Sequence, residues 1–178
     1  VAMCGRNQKK VEQTARRFGY KEYCLDWKLL VKDPRIDIFD NCTPDDLHYL
    51  PSMEAMENGK HVICEKPLSL KLEDAYQMAQ RARETGVKTM CCYNYRFLPA
   101  VRLARQLIEQ GILGKIYQFR AKYLQQPGHN PFEIVEKVWY AYGTQSGTLL
   151  GIGSHILDMA RFLIGEVTAV SGLKKTFN

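Results

Sequence analysis

Over its first 93 residues the chain alternates short apolar runs with stretches of helical periodicity, and the joints between them are short. The runs at residues 1–4, 20–24, 36–42, 61–64 and 88–93 read as strands. Between the first two, Val11, Ala15 and Phe18 recur at helical spacing and Gly19 follows as a stop, which predicts a helix over 8–18. Asp26 can cap a short helix through residue 31, ended by Asp33-Pro34. A helix over 47–58 stops at Gly59. Ser69 can cap one that runs to residue 85 and stops at Gly86, with Glu73 and Asp74 in its first turn, where the dipole favours acids. Strands and helices in this order build a parallel sheet covered by helices.

In such a sheet, ligands bind at the carboxyl ends of the strands. The run at 61–64 ends in Glu65-Lys66-Pro67, which places a cation at that edge on backbone stiffened by proline. Thr43, Pro44 and His48 follow the preceding strand and fall near the same edge; His48 alternatively reads as a helix-surface histidine. The first strand ends in Gly5-Arg6-Asn7, with Lys9 and Lys10 close behind. In a dinucleotide-binding sheet the second strand ends beside the adenosine ribose, where an acid holds the 2′-hydroxyl and an arginine accommodates a 2′-phosphate. No acid stands there in this chain, and Arg6 does. A glycine-rich phosphate loop is not visible: Gly151-Ile152-Gly153 lacks the preceding strand and the third glycine, and the loop is expected ahead of Val1.

From Pro99 the pattern changes. Val101, Ala104, Arg105 and Ile108 belong to an amphipathic helix that stops at Gly111. Residues 115–124 alternate polar and apolar, as a strand with one wet face does in an antiparallel or mixed sheet. Residues 125–142 carry Pro127, Gly128 and Pro131 and read as a long loop, a kind often tied to function. Ser154 can cap a helix to residue 164 with Ile156, Met159, Ala160 and Leu163 on one face. His155 then falls in a first helical turn, where the dipole disfavours its protonated form; a neutral imidazole there can exchange a proton near neutral pH. It reads equally as a structural histidine. Asp158 shares its face and can orient His155, pair with a nearby base, or be a plain helix-face acid. A domain boundary is expected near Leu113, giving domains 1–113 and 114–178. Residues 1–4 already look like a buried strand, and residues 167–177 like a strand without a partner, so the numbered chain is expected to be a piece of a longer protein.

Composition narrows the classes. With 178 residues, 46% hydrophobic and 25% charged, the chain is an ordinary globular one. Its net charge of +6 is scattered among acids, which suits an anionic ligand but makes no case for nucleic acid. No apolar run approaches membrane-spanning length. The six cysteines, Cys4, Cys24, Cys42, Cys64, Cys91 and Cys92, lack metal-ligand spacing, so no metal is expected, and reduced thiols in the cytoplasm fit them best.

Taken in order, Cys42-Thr43-Pro44 with His48, Gly59-Lys60-His61-Val62 running into Glu65-Lys66-Pro67, Tyr93-Asn94-Tyr95-Arg96-Phe97, Gly114-Lys115-Ile116, and Ser146-Gly147-Thr148-Leu149-Leu150-Gly151-Ile152-Gly153-Ser154-His155-Ile156-Leu157-Asp158 resemble the Gfo/Idh/MocA oxidoreductases. The resemblance implies an α/β chain: a partial Rossmann parallel sheet, then the start of an α/β substrate domain with a mainly antiparallel sheet. It implies an NAD(P)-dependent dehydrogenase that moves a hydride to or from a hydroxyl-bearing carbon of a sugar, cyclitol or related polyol. NADP is favoured over NAD because of Arg6. Lys66 matches the lysine that contacts the nicotinamide ribose and the substrate hydroxyl, and His155 the acid–base histidine. Gly5, Arg6, Lys10, Thr43, Pro44, His48 and Glu65 are expected at the cofactor with Lys66, and Arg96 and Asp158 at the substrate. A homo-oligomer through the C-terminal sheet is expected as well. The chain departs from the family pattern at Gly151, where an aspartate is usual, and at Tyr140, after Trp139, where arginine is frequent. The alternatives are a non-catalytic family member that binds cofactor or sugar, and a redox-neutral, NAD-dependent glycosidase.

Overall fold

The computed structural model describes residues 1–124, 147 and 149–175. These fall into two compact units, Val1–Cys92 with Gly147, and residues 93–124 with 149–175.

In the first unit, β1 (Ala2–Cys4), α1 (Gln8–Phe18), β2 (Glu22–Cys24), α2 (Trp27–Lys32), β3 (Ile38–Asn41), α3 (Tyr49–Glu57), β4 (His61–Cys64), α4 (Leu72–Thr85) and β5 (Thr89–Cys91) follow one another. α1 forms where its caps put it. The Asn7 side chain accepts from the Lys10 amide at 3.0 Å, and Gly19 closes the helix in the left-handed region at φ 74°, a conformation that costs glycine little. Val11 and Ala15 are the buried face. Gly5 lets the turn before α1 pack closely: a Cβ there would stand 3.1 Å from Cβ of Val11, a tight contact.

All ladders among the described residues are parallel. β1 pairs with β2 so that Cys4 faces Cys24. β4 lies between β3 and β5, with Asn41 opposite Cys64 and Cys64 opposite Cys91. The two sheets are separate among the described residues, β1-β2 and β3-β4-β5. The core is formed by Phe39, Val62 and Cys64 of the three-stranded sheet with Val31 of α2, Ala55 and Met56 of α3, and Met78 of α4. This apolar layer fixes the faces of β3 and β4 and so the points at which both strands deliver their next residues.

The second unit holds a 3₁₀ turn (Asn94–Phe97), α5 (Pro99–Glu109) and α6 (Ser154–Leu163), which a π-helical turn (Leu149–Gly153) precedes. Proline opens α5, where its missing N–H costs nothing. The Arg105 guanidinium donates to the Phe162 carbonyl at 2.5 Å and, with Arg96, lies over the Phe162 ring at 5.7 and 5.1 Å.

Four local expectations change. Ser69 is not the cap of α4: that position is Lys71, whose amide donates to the Ser69 hydroxyl at 3.1 Å, so Ser69 shapes the approach to the helix. Ser154 is the first residue of α6 and not its cap, because the π turn feeds straight into the helix. His155 therefore stands behind a helical turn instead of at a bare helix start, and the dipole argument for its neutrality loses its basis. Residues 115–124 are not a strand, nor are residues 165–175: neither segment has a ladder partner among the described residues, and alternation alone does not make a strand. The expected loop at 125–142 lies outside the described residues, as do Trp139, Tyr140 and the end of the expected strand at 167–177.

Candidate functional site

The carboxyl edge of β3 is organised by a residue whose importance the sequence hid. Asn41 is 1% exposed; it points to the core side of the strand, where an apolar residue is the default. Its amide nitrogen donates to the His48 carbonyl and the Ser52 hydroxyl, both at 3.0 Å. Its oxygen accepts from the Thr43 amide at 3.2 Å and from the Thr43 hydroxyl at 2.7 Å. A buried amide with all these partners satisfied fixes the Thr43-Pro44 turn firmly.

His48 ties that turn to the next strand. Its ring is fully enclosed, at 0% exposure, and so is not a helix-surface histidine. One ring nitrogen, Nδ1, faces the Pro67 carbonyl at 2.7 Å, and the other, Nε2, faces the Thr43 carbonyl at 2.8 Å. Both partners are acceptors, so a neutral ring serves one of them at a time and an imidazolium serves both. The ring thus bridges the segments leaving β3 and β4. Both ring nitrogens are turned to main chain, so the role the geometry shows for His48 is to join these two loops.

Lys66 and Glu65 leave β4 at this edge. The Glu65 amide donates to the Asn41 carbonyl at 2.9 Å, which extends the ladder one residue past the strand, and the Glu65 carboxylate accepts from the Lys66 amide at 3.1 Å. Lys66 is half-buried and precedes a cis peptide bond to the buried Pro67. A cleft of about 1130 Å³ runs between β1 and β3. Gly5, Arg6, Thr43 and Pro44 line it, so four of the residues expected at a dinucleotide share one wall system. Lys10, His48, Glu65 and Lys66 are not in that lining. Lys10 is exposed in the first turn of α1, beside Lys9, and no acid stands in that turn. Cationic side chains at the positive end of a helix repel it unless an anion is near.

Two thiols at this edge, Cys64 and Cys42, are held in the protonated form. Burial pushes Cys64 up to about 12, and partial burial with the Asp40 carboxylate does the same for Cys42.

In the second unit, α6 turns its polar residues inward: Ser154, His155 and Asp158 are buried, whereas the Ile156, Met159, Ala160 and Leu163 face is half-buried. Asp158 is taken by Arg96. The guanidinium donates to both carboxylate oxygens, at 2.8 Å from Nε and 2.5 Å from Nη2, with the acid side chain 5% and the arginine 37% exposed. This forked pair clamps the 3₁₀ turn onto α6 and holds the Arg96 guanidinium above its ordinary value. Of the roles open to Asp158, pairing with a base is the one its geometry fills. His155 lies against two tyrosine rings. Tyr95 stacks on it at 4.3 Å between centroids and 22° between planes, and Tyr93 meets it edge-on at 5.8 Å and 88°. The Tyr95 hydroxyl shares a hydrogen bond of 2.6 Å with that of Tyr123. Sequence reasoning missed these three tyrosines as well as Asn41. The signal available was the Tyr93-Asn94-Tyr95-Arg96-Phe97 stretch, in which only Arg96 stands out as a site candidate.

The fold agrees with what the chain is similar to. Residues 1–93 match the oxidoreductase family with an NAD-binding Rossmann fold, and residues 101–178 match the Gfo/Idh/MocA C-terminal domain. The levoglucosan dehydrogenase of Pseudarthrobacter phenanthrenivorans is 37% identical over 96% of this chain and 44% of its own length. The scyllo-inositol 2-dehydrogenase (NAD(+)) of Bacillus subtilis is 32% identical over 95% of this chain and 47% of its own. A solved structure of levoglucosan dehydrogenase in complex with NADH and levoglucosan superposes with a TM-score of 0.86 at 37% identity, covering 93% of this chain and 45% of that one. The chain thus spans about half the length of the curated relatives it matches. It belongs to the Gfo/Idh/MocA oxidoreductase family.

Proposed function

We propose that the protein to which this chain belongs is an NAD(P)-dependent dehydrogenase acting on a hydroxyl-bearing carbon of a sugar, cyclitol or related polyol. The observation that carries this reading is the carboxyl edge of β3 and β4. There the Asn41 network and the His48 bridge hold the Thr43-Pro44 turn and the Lys66-Pro67 segment as one piece. An edge of this kind is where open parallel sheets take their ligands.

The nicotinamide, when bound, supplies the hydride acceptor. Gly5, Arg6, Thr43 and Pro44, which line the cleft, would hold the dinucleotide, with Lys10 near the adenosine end and Glu65 and Lys66 near the nicotinamide end. Lys66 presents its ammonium to the substrate hydroxyl and stabilises the negative charge that grows on that oxygen as the C–H bond opens. His155 would take the hydroxyl proton as the carbon gives up its hydride to the nicotinamide, so that the carbon becomes a carbonyl and the charge balances. The Arg96–Asp158 pair secures the helix that carries His155, and Arg96, one-third exposed, retains a face for substrate oxygens.

Within this reading the cofactor is NADP(H). Arg6 in the cleft lining and the acid-free first turn with Lys9 and Lys10 support a 2′-phosphate. A guanidinium makes paired bonds to a phosphate that a ribose hydroxyl cannot return. Fluorescence titration of the full-length protein is expected to show tighter binding of NADPH than of NADH. Arg6→Ala is expected to weaken NADPH about tenfold, the size of a lost charge-assisted hydrogen bond, and NADH little. NADH binding at least as tightly, or equal weakening of both, contradicts this clause.

No helix among the described residues is long and apolar enough to cross a membrane. The free thiols support a reducing compartment, the cytoplasm. Exposed Tyr117, Leu124, Val170 and Leu173 support contact between copies through the second unit. Gly151, where an aspartate is usual, favours a second reading, a family member that binds cofactor and sugar without turnover.

A further inference from the structure

We infer that Tyr95 is a positioning residue for His155, and that Tyr123 anchors it. The inference rests on His155 being the acid–base residue of the proposed reaction.

An imidazole that moves a proton must hold one nitrogen on the substrate oxygen within a few tenths of an ångström. A histidine side chain has two rotatable bonds, which give the ring freedom to turn. Two rings remove that freedom here. Tyr95 covers one face of His155, nearly parallel to it at 22° and 4.3 Å, and Tyr93 meets the same ring at 88° and 5.8 Å. The stack sets the plane of the imidazole, and the edge contact opposes its rotation within that plane. Both arrangements are ones that aromatic pairs prefer.

Tyr95 is itself fixed. Its hydroxyl shares a 2.6 Å hydrogen bond with Tyr123, which belongs to the segment after α5, and the two rings stand 6.1 Å apart. The same bond holds the Tyr95 phenol above its ordinary value, so Tyr95 stays a neutral phenol and is no rival to His155 as the base. Arg96 follows Tyr95 in the same 3₁₀ turn and is locked to Asp158 of α6. The turn that carries the stacking ring is therefore bolted to the helix that carries the histidine. Tyr95 reaches the reaction through the ring it supports.

The test uses the full-length protein with an accepted polyol and NAD(P), in the variants Tyr95→Phe, Tyr95→Leu, Tyr123→Phe and His155→Asn. Tyr95→Phe keeps the ring and is expected to hold kcat within about threefold. Tyr95→Leu removes it and is expected to lower kcat about ten- to a hundredfold with KM little changed, as misplacement of a reacting group does. Tyr123→Phe, which leaves every ring in place, is expected to lower kcat only about threefold. An independent readout is the NMR shift of the His155 ring protons, which the stacked Tyr95 ring current moves. The displacement is expected to persist in Tyr95→Phe and vanish in Tyr95→Leu. Wild-type kcat in Tyr95→Leu, a loss confined to KM, or an unchanged His155 ring shift overturns the inference. A Tyr95→Leu chain that does not fold leaves the Phe variants to decide: a large kcat loss in Tyr95→Phe, where stacking is intact, overturns it. Full turnover in His155→Asn instead removes the acid–base reading itself, and this inference falls with it.

Discussion

Replacing His155 by asparagine in the full-length protein is expected to lower kcat by about 10²–10⁴-fold, the usual share of a general acid–base group. Asparagine keeps the polarity and most of the bulk of the side chain but cannot take a proton. The loss is expected in kcat and in kcat/KM alike, because the proton moves only as the C–H bond opens. Lys66→Met is expected to cost about 10²–10³-fold, since the methionine chain fills the place of the lysine stem without its charge. Dinucleotide binding separates the two variants. Lys66→Met is expected to weaken it, as Lys66 is assigned to the nicotinamide end, and His155→Asn to leave it unchanged. Steady-state kinetics with a parallel fluorescence titration checks both. Turnover within about threefold of wild type in either variant removes that residue from the chemistry.

The second large effect concerns stability. His48→Phe puts a ring of similar size into a fully enclosed position but leaves the carbonyls of Thr43 and Pro67 without their partner. A neutral ring donates to one of these oxygens at a time, and a buried acceptor stranded by its loss costs about 1–3 kcal/mol. Denaturant unfolding is expected to show that decrease for His48→Phe and a smaller one for His48→Gln, whose amide N–H groups can still donate to a carbonyl there. Because the ring joins the Thr43-Pro44 turn to the Lys66-Pro67 segment, His48→Gln is also expected to weaken dinucleotide binding while the protein remains folded. A His48→Phe protein as stable as wild type contradicts the bridging role.

How much of this the chain announced depends on the range of the interactions. α1 was legible almost to the residue: Val11 and Ala15 recur at helical spacing and Gly19 stops it, whereas its N-cap, Asn7, emerged only with the backbone. The five strands of the first unit follow from short apolar runs that one face of a sheet buries. His48 was legible as a polar residue near a strand end but not as a bridge, because its partner Pro67 lies 19 residues away. The Arg96–Asp158 pair joins residues 62 apart, and the Tyr95–His155 stack is set by the same docking of the turn on α6. Ser69 and Ser154 were misplaced as caps because either residue type also serves in turns or buried first positions, and only the backbone path decides. The alternation over 115–124 was real, yet a strand requires a neighbour to pair with, and a sequence window does not contain it.

The most direct measurement is the absorbance of reduced nicotinamide when the full-length protein is mixed with NADP⁺ or NAD⁺ and a panel of sugars and cyclitols, levoglucosan and scyllo-inositol among them. The dehydrogenase reading predicts formation of NADPH or NADH in proportion to one carbonyl product, lost in His155→Asn. Consumption of sugar with no net reduced cofactor, or bound dinucleotide with no change in any sugar or cyclitol, would contradict it.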